Sequence, residues 1–246
     1  MKDYFYAFFM CQSMFCAIPC PCHCWEERAR SKMLLFLPVI GLEIGLCWAG
    51  LGWLCRYLHL PQLMTGLVLA LTPFLLTGFL HLDGFMDVKD AVGSCRDLQR
   101  RREILKDSHV GSFAVIGFGI LLLSQFACAS ALKPQTDLRV LILIPILSRC
   151  CAGLAVDALP SMSTSQYAGR TVNKGHLVYF SILILALLIL GFVLFGRAGL
   201  AVLATALGLA LALRKAYKAL EGMNGDISGY SITLGELAGL FVLALL

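Results

Sequence analysis

Apolar residues run along this chain in long unbroken stretches. They show neither the alternation of a half-buried strand nor the narrow stripe of a surface helix. Seven stretches stand out, at about 33–54, 61–82, 110–132, 138–158, 176–195, 198–213 and 229–246. Most approach the roughly 20 residues a helix needs to cross a bilayer core. In lipid the backbone must satisfy its own hydrogen bonds, so runs this long and unalternating predict helices. The fifth stretch is nearly pure Leu, Ile, Phe and Val, and the sixth is short for a full span. The expected fold is all-α: a polytopic integral membrane protein of about seven transmembrane helices. Before the first span, aromatics and Met crowd positions 4–15, and Pro19 and Pro21 then break any helix. This predicts a short interfacial helix. The chain therefore divides into an N-terminal interfacial segment, 1–32, and a transmembrane domain, 33–246. No internal repeat of the transporter kind is evident.

Composition supports this class. Of 246 residues, 59% are apolar and 14% charged, whereas soluble domains carry about a quarter charged residues. Mean hydropathy is +0.82. These values exclude disorder, collagen and nucleic-acid binding. The net charge of +5 matters less than its distribution. Lys2, Arg28, Arg30 and Lys32 precede the first span. Lys89, Arg96, Arg100, Arg101, Arg102 and Lys106 follow the second, Arg170 and Lys174 the fourth, and Arg214, Lys215 and Lys218 the sixth. That places fifteen on one side and four on the other (Arg56, Lys133, Arg139 and Arg197), with Arg149 inside a span. The positive-inside rule then puts the N-terminus and the loops at 83–109, 159–175 and 214–228 in the cytosol. The expected location is the cytoplasmic membrane, with an active site facing the cytosol. Eleven cysteines suggest a disulfide framework, but five of them, Cys47, Cys55, Cys128, Cys150 and Cys151, lie in apolar runs and read as small hydrophobes. The stretch Cys20-Pro21-Cys22-His23-Cys24 lacks a second ligand pair at zinc spacing and reads as incidental cysteines on a reducing side. No signal peptide is evident.

With only fifteen acidic residues, their placement carries the chemistry. The densest group is His81-Leu82-Asp83-Gly84-Phe85-Met86-Asp87-Val88-Lys89-Asp90. On a helix, Asp83, Asp87 and Asp90 fall within roughly 60° of one another at about 100° per residue. Asp97 is expected near the same face. Three carboxylates on one face repel, and a bound divalent cation would remove that penalty. Mg²⁺ takes hard oxygen ligands and brings substrate phosphates with it. A solvated acidic face is the plain alternative, although such faces usually mix signs. A second group, Glu103-Ile104-Leu105-Lys106-Asp107-Ser108-His109-Val110-Gly111, closes the same loop, and alone it reads as a helix end with a positive-inside anchor. A third, Gly222-Met223-Asn224-Gly225-Asp226-Ile227-Ser228-Gly229, reads as a flexible loop able to offer backbone N–H groups to phosphate, or equally as a plain turn. Glu43, Asp157, Glu236 and Arg149 lie within spans, where ionisable residues are functional by default, or where Arg149 simply pairs with one of the acids. Acids from three stretches beside Lys and Arg suit metal-assisted phosphoryl transfer at a membrane surface. No Walker loop is present.

These motifs resemble those of the cobalamin synthase family, the adenosylcobinamide-GDP ribazoletransferases. The family pattern H-x-D-G-x-x-D-x-x-D-G is matched from His81 to Ala91, with Ala91 in place of the last Gly. R/K-D-S-x-x-G is matched by Lys106 to Gly111, and a Ser-Arg pair by Ser148-Arg149. G-D-x-x-G followed by L-G-E is matched by Gly225 to Gly229 and Leu234-Gly235-Glu236, and P-x-x-G by Pro38 to Gly41. The resemblance covers about residues 14 to 246. It implies that adenosylcobinamide-GDP and α-ribazole, or its 5′-phosphate, give adenosylcobalamin, or its phosphate, and GMP, with Mg²⁺ as cofactor. It further implies catalytic roles for Asp83, Asp87, Asp90, Asp107 and Asp226, with the first three as metal ligands. Substrate contacts fall to His81, Arg96, Lys106, Ser108, Arg149, Asn224, Gly225 and Glu236. The implied partners are these small molecules and the lipid bilayer, and a homo-oligomer is compatible with the sequence. Two rivals fit less well. A CDP-alcohol phosphotransferase would carry Ala-Arg soon after D-G, where this chain has Met86-Asp87. An ion-coupled transporter would place its acids at the midplane.

Overall fold

The structure, a computed structural model, describes residues 2–162, 165 and 172–246. Helices α1 (Lys2–Phe15), α2 (Arg30–Met33), α3 (Leu37–Tyr57), α4 (Gln62–Leu76), α5 (Leu80–Gly93) and α6 (Leu98–Ile104) form the first half. Helices α7 (Ser112–Ser130), α8 (Val140–Ala158), α9 (Lys174–Phe195), α10 (Gly199–Leu220) and α11 (Gly225–Leu245) form the second. The described residues contain no strand, and one isolated bridge joins Ser161 to Met223.

Among the described residues, five helical stretches are long and apolar enough to cross a membrane, or six if α4 and α5 count as one broken span. The longest, Lys174–Leu220, has 47 residues and would reach about 70 Å as a single helix. That is more than twice the roughly 30 Å hydrocarbon core. It is two 22-residue helices, α9 and α10, parted at Gly196 with φ +54. All seven expected segments thus coincide with a helix, though two differ from expectation. The sixth is full length, because α10 continues past the apolar run through Arg214, Lys215 and Lys218. The expected loop at 214–228 shrinks to the residues between Leu220 and Gly225.

The second segment does not run to position 82. It stops at Leu76, turns through Gly78 (φ +55) and Phe79 (φ +64), and restarts as α5, bent by 89°. The freed carbonyls at the turn find donors. Thr77 Oγ1 donates to Pro73 O at 2.9 Å, and the Ala17 N–H donates to Leu76 O at 2.7 Å. Within α4, Pro73 has no N–H for the Leu69 carbonyl. Trp48 Nε1 on α3 donates to that carbonyl instead, at 2.7 Å.

Without a hydrophobic drive between helices in lipid, close backbone approach at small residues supplies the packing. A Cβ at Gly45 of α3 would lie 2.7 Å from the Ile142 Cα of α8. Gly235 and Gly239 of α11 press on α10 at Leu209 and Thr205 in the same way. Helix α9 leaves Ile182, Leu185, Ile189 and Val193 exposed, an apolar surface suited to lipid. The charges sort to two ends. At one end Arg102 Nε and Nη2 donate to the Leu220 and Glu221 carbonyls at 3.0 and 2.8 Å, closing the last turn of α10. At the other, Arg56 donates to the Thr136 and Lys133 carbonyls at 2.7 and 2.9 Å. Arg170 lies outside the described residues. Helix α1 buries Ala7, Met10, Cys11 and Phe15, and Lys32 Nζ bonds Asp3 at 2.8 Å.

The glycine contacts give a stability test. Gly45→Val drives its side chain into the α8 backbone and is expected to cost about 1–3 kcal/mol, the range for overpacking. Gly50, with nothing within 4 Å of its would-be Cβ, is the control. Thermal unfolding in detergent should show a lowered midpoint for Gly45→Val and little change for Gly50→Val. Equal losses would remove the packing argument.

Candidate active site

Helix α5 carries Asp83, Asp87 and Asp90 on one turn-spaced face, as their sequence spacing predicts. It is seated on the N-terminal half of α11 through two glycines. A Cβ at Gly84 would lie 2.8 Å from Asp226 Cα, and one at Gly229 would lie 3.0 Å from His81 O. Phe85 and Tyr230 stack beside them, with centroids 5.6 Å apart, and Thr233 Oγ1 donates to His81 O at 3.3 Å. This crossing brings Asp226 to the acidic helix. Half-buried Asp87 feels the like charges of Asp83, Asp226 and Asp90 in that order.

The segment expected to be a flexible loop is pinned. Met162 N–H donates to Met223 O, and Met223 N–H to Pro160 O, both at 2.9 Å. Gly222 packs against Met162 so closely that a Cβ would lie 2.7 Å from its Cγ. Asn224 then starts α11. Its Oδ1 accepts the Ile227 N–H at 2.9 Å as an N-cap, and its Nδ2 donates to Asp226 Oδ2 at 2.6 Å. Gly225 and Asp226 therefore stand in the first turn of a helix. Three glycines suggest mobility in the sequence, but two of them, Gly222 and Gly229, permit close packing here.

Asp90 has a different setting from Asp83 and Asp87. Its carboxylate turns to α7, where Oδ2 accepts the Gly111 N–H and Oδ1 accepts the Ala114 N–H at 3.0 Å. It serves as the cap that Gly111 cannot supply from its own side chain. A Cβ at Gly111 would collide with it. Gly111 of the second motif is thus explained by Asp90 of the first. Lys106 and Ser108 are exposed and line neither of the cavities beside Asp83. Asp107 faces its own turn, accepting from His109 N at 3.0 Å and pairing with His109 Nδ1 at 2.6 Å. The His109 backbone N–H, then its ring, hold the Asp107 carboxyl below the usual carboxylate range. Lys89 lies along α7 at Gly117, away from the Asp face. Asp97 is not on that face either. After α5 ends, Cys95 takes φ +52 and Asp97 caps α6 through the Arg100 N–H at 3.0 Å.

Arg149, Ser148 and Glu236 are joined in the interior. Arg149 Nη1 pairs with Glu236 Oε1, and Ser148 Oγ donates to the same oxygen at 2.8 Å. Both charged side chains are almost wholly buried, so each is the other's compensation. Arg149 Nε and Nη2 have no hydrogen-bond partner among the described residues. Asp157, another intramembrane acid, pairs instead with His176 Nδ1 at 3.1 Å. Arg96 lies in a separate open groove with Asp97, Arg100 and Phe113.

Two cavities meet at Met14, Leu80 and Asp83. One, of 390 Å³, runs inward past Phe15, Leu37, His81, Val156 and Ile232, with Asn224, Gly225, Asp226 and Ser228 at its edge. The other, of 510 Å³, opens along Ser13, Cys16, Thr77 and Phe79. The sequence singled out His81, Asp83, Asn224, Gly225 and Asp226 for this place. It missed Met14, Phe15 and Leu37, because side chains of α1 and the start of α3 reach the site only through tertiary packing.

Among the described residues no three His, Cys, Asp or Glu side chains stand close enough together to hold a metal ion. Mg²⁺, however, is commonly bound by one or two carboxylates plus substrate phosphates. Asp83, Asp87 and Asp226 offer hard oxygens, and Asp87 is half-buried among the like charges of Asp83, Asp226 and Asp90. That donor set fits a hard cation arriving with a pyrophosphate.

The family model for cobalamin-5-phosphate synthase matches residues 7–244. An adenosylcobinamide-GDP ribazoletransferase of Clostridium perfringens (strain SM101 / Type A) is 38% identical, with 100% of both chains covered. One of Clostridium botulinum (strain Alaska E43 / Type E3) is 36% identical over 98% of each. One of Lachnoclostridium phytofermentans is 32% identical over 94% of this chain and 90% of its own. No solved structure matches. The chain belongs to the cobalamin-5-phosphate synthase family.

The two settings of the acids can be separated by stability. Asp90→Ala leaves the Gly111 and Ala114 N–H groups without their acceptor and should cost about 1–3 kcal/mol. Asp83→Ala, at an exposed position, should change stability by less than about 0.5 kcal/mol. Urea unfolding of the two variants in detergent compares them. A neutral Asp90→Ala would show that the cap is dispensable.

Proposed function

We propose that this family member is an adenosylcobinamide-GDP ribazoletransferase, joining adenosylcobinamide-GDP to α-ribazole or its 5′-phosphate. The observation that carries the reading is that Asp83 and Asp226, from different helices, line one cavity with Asp87 within reach of their charge, in a chain whose full-length relatives bear that name. In the reaction a ribazole hydroxyl oxygen bonds to the phosphorus on the cobinamide arm. The bridging P–O bond to GMP breaks, and the hydroxyl proton passes to a base. Asp226 is the base we assign, because Asn224 fixes its carboxylate and the α5–α11 crossing places it beside Asp83. A positioned base of this kind contributes about 10²–10⁴-fold.

Asp83 and Asp87 would hold Mg²⁺ together with substrate phosphate oxygens, leaving Asp226 to take the proton. When bound, the ion would neutralise charge on the pyrophosphate oxygens and on departing GMP. Asp90 acts one step removed: by fixing the start of α7 it holds α5 in place. The Arg149–Glu236 pair does the same for α8 and α11. We place the acidic end in the cytosol, since the Lys- and Arg-rich connections cluster there and GMP is a cytosolic product.

The test is turnover by detergent-purified protein given adenosylcobinamide-GDP and α-ribazole, with and without Mg²⁺. Activity should need the ion. Asp83→Asn and Asp87→Asn should each lower turnover by at least about 10²-fold, on the order of 3 kcal/mol of barrier. Both variants should still insert and fold. Near-normal turnover in both would remove the acidic cluster from the mechanism.

Orientation has its own check. Reporter fusions after position 95 and after position 246 should report opposite sides, with 95 in the cytosol. Both on one side would mean an even number of crossings between them and a different arrangement of α9 and α10.

A further inference from the structure

Resting on that reading, we infer that the 390 Å³ cavity is the nucleoside subsite, and that His81 is the side chain that recognises its base. The volume lies in the roughly 300–1,000 Å³ range of cavities that hold small organic ligands. A corrin macrocycle is far too large for it. Its inner wall is apolar, formed by Phe15, Leu37, Val156 and Ile232. A guanine base would bring several donors and acceptors that Phe15, Leu37, Val156 and Ile232 cannot pair, and unpaired buried polar groups are costly. A benzimidazole base is flat and apolar except for one ring nitrogen, which accepts a single hydrogen bond.

The polar side chains lining the cavity include Ser165, Asn224, Asp226, Ser228 and His81, and His81 offers a buried ring nitrogen that matches that acceptor. His81 lines the cavity at 7% exposure, and its Nε2 has no hydrogen-bond partner among the described residues. A buried polar atom left so is unusual, and a ligand acceptor would complete it. Neighbours hold the ring in place. The His81 backbone carbonyl accepts from Thr233, and Phe15 packs beside the imidazole with centroids 6.4 Å apart. A second unpartnered atom, Ser228 Oγ, lies at the rim beside Asp226, where the ribose of a bound nucleoside would emerge. A base on His81 therefore directs the sugar hydroxyls to the acids. The cavity measures the acceptor and points its nucleophile at the same time.

Two variants and one ligand change test this on the full chain in detergent. Val156→Phe fills the cavity and should raise the KM for α-ribazole by at least about 10-fold, as a lost pocket contact does. The KM for adenosylcobinamide-GDP should stay within about 2-fold. Replacing the benzimidazole riboside by its indole counterpart removes the ring acceptor. The native protein should disfavour the indole compound by about 10-fold in kcat/KM, and His81→Phe should abolish that preference. The subsite is overturned if Val156→Phe raises the corrinoid KM instead, or if the preference survives in His81→Phe. Equilibrium binding of α-ribazole alone keeps this apart from the reaction. Native protein that binds ribazole, loses it with Val156→Phe, yet does not turn over retains the subsite and refutes the transferase reading. Native protein that turns over, but whose ribazole binding is indifferent to Val156→Phe, does the reverse.

Discussion

The acidic end of this molecule depends on how closely the backbones of α5 and α11 approach. Gly84 touches Asp226, and Gly229 touches the backbone of His81. A side chain at either position would hold the helices apart, and Asp226 would leave the company of Asp83 and Asp87. Mutual repulsion among these carboxylates works against the arrangement. The contact is maintained by apolar and hydrogen-bonding neighbours: the Phe85–Tyr230 stack, the Thr233 bond to His81 and the Asn224 cap. Packing of ordinary strength thus sustains an electrostatic configuration that would otherwise disperse.

The surrounding charges serve this crossing from a distance. Arg149 and Glu236 bind α8 to α11 within the interior, where neither charge tolerates being left alone. Asp90 fastens α5 to α7, and Arg102 closes the end of α10 just before the turn into α11. Residues of one motif are therefore not equivalent. Asp83 lines the open cavities, and half-buried Asp87 lies within reach of its charge. Asp90, one helical turn along, faces inward and holds a neighbouring helix.

Much of this was legible in the sequence. Run length alone located seven helices, because burial in lipid forces long apolar segments. The i, i+4, i+7 spacing placed three acids on one face, because a helix has a fixed pitch. The failures have physical causes too. The 89° turn at Gly78 and Phe79 interrupts a stretch that is apolar throughout, so hydropathy passes over it. The tight turn before α11 read as flexible because glycine's two uses, freedom and close approach, look alike in one dimension. The role of Asp90 could not be read from its own helix, since its partners lie on α7. Phe15 and Met14 entered the site from a segment that composition assigned to the membrane interface.

The turn at the end of α4 also bears on how the chain is made. The Leu76 carbonyl is satisfied by the N–H of Ala17, and His81 by Thr233, 152 residues further on. The first helix to leave the ribosome thus has its anchor in the second span, and the acids of α5 meet Asp226 only when the last helix is inserted. Synthesis runs almost to its end before the acids of α5 and α11 can come together. A chain stopped short of α11 lacks Asp226 and the Gly229 contact that seats α5, so the acidic face is completed last in the life of the nascent chain.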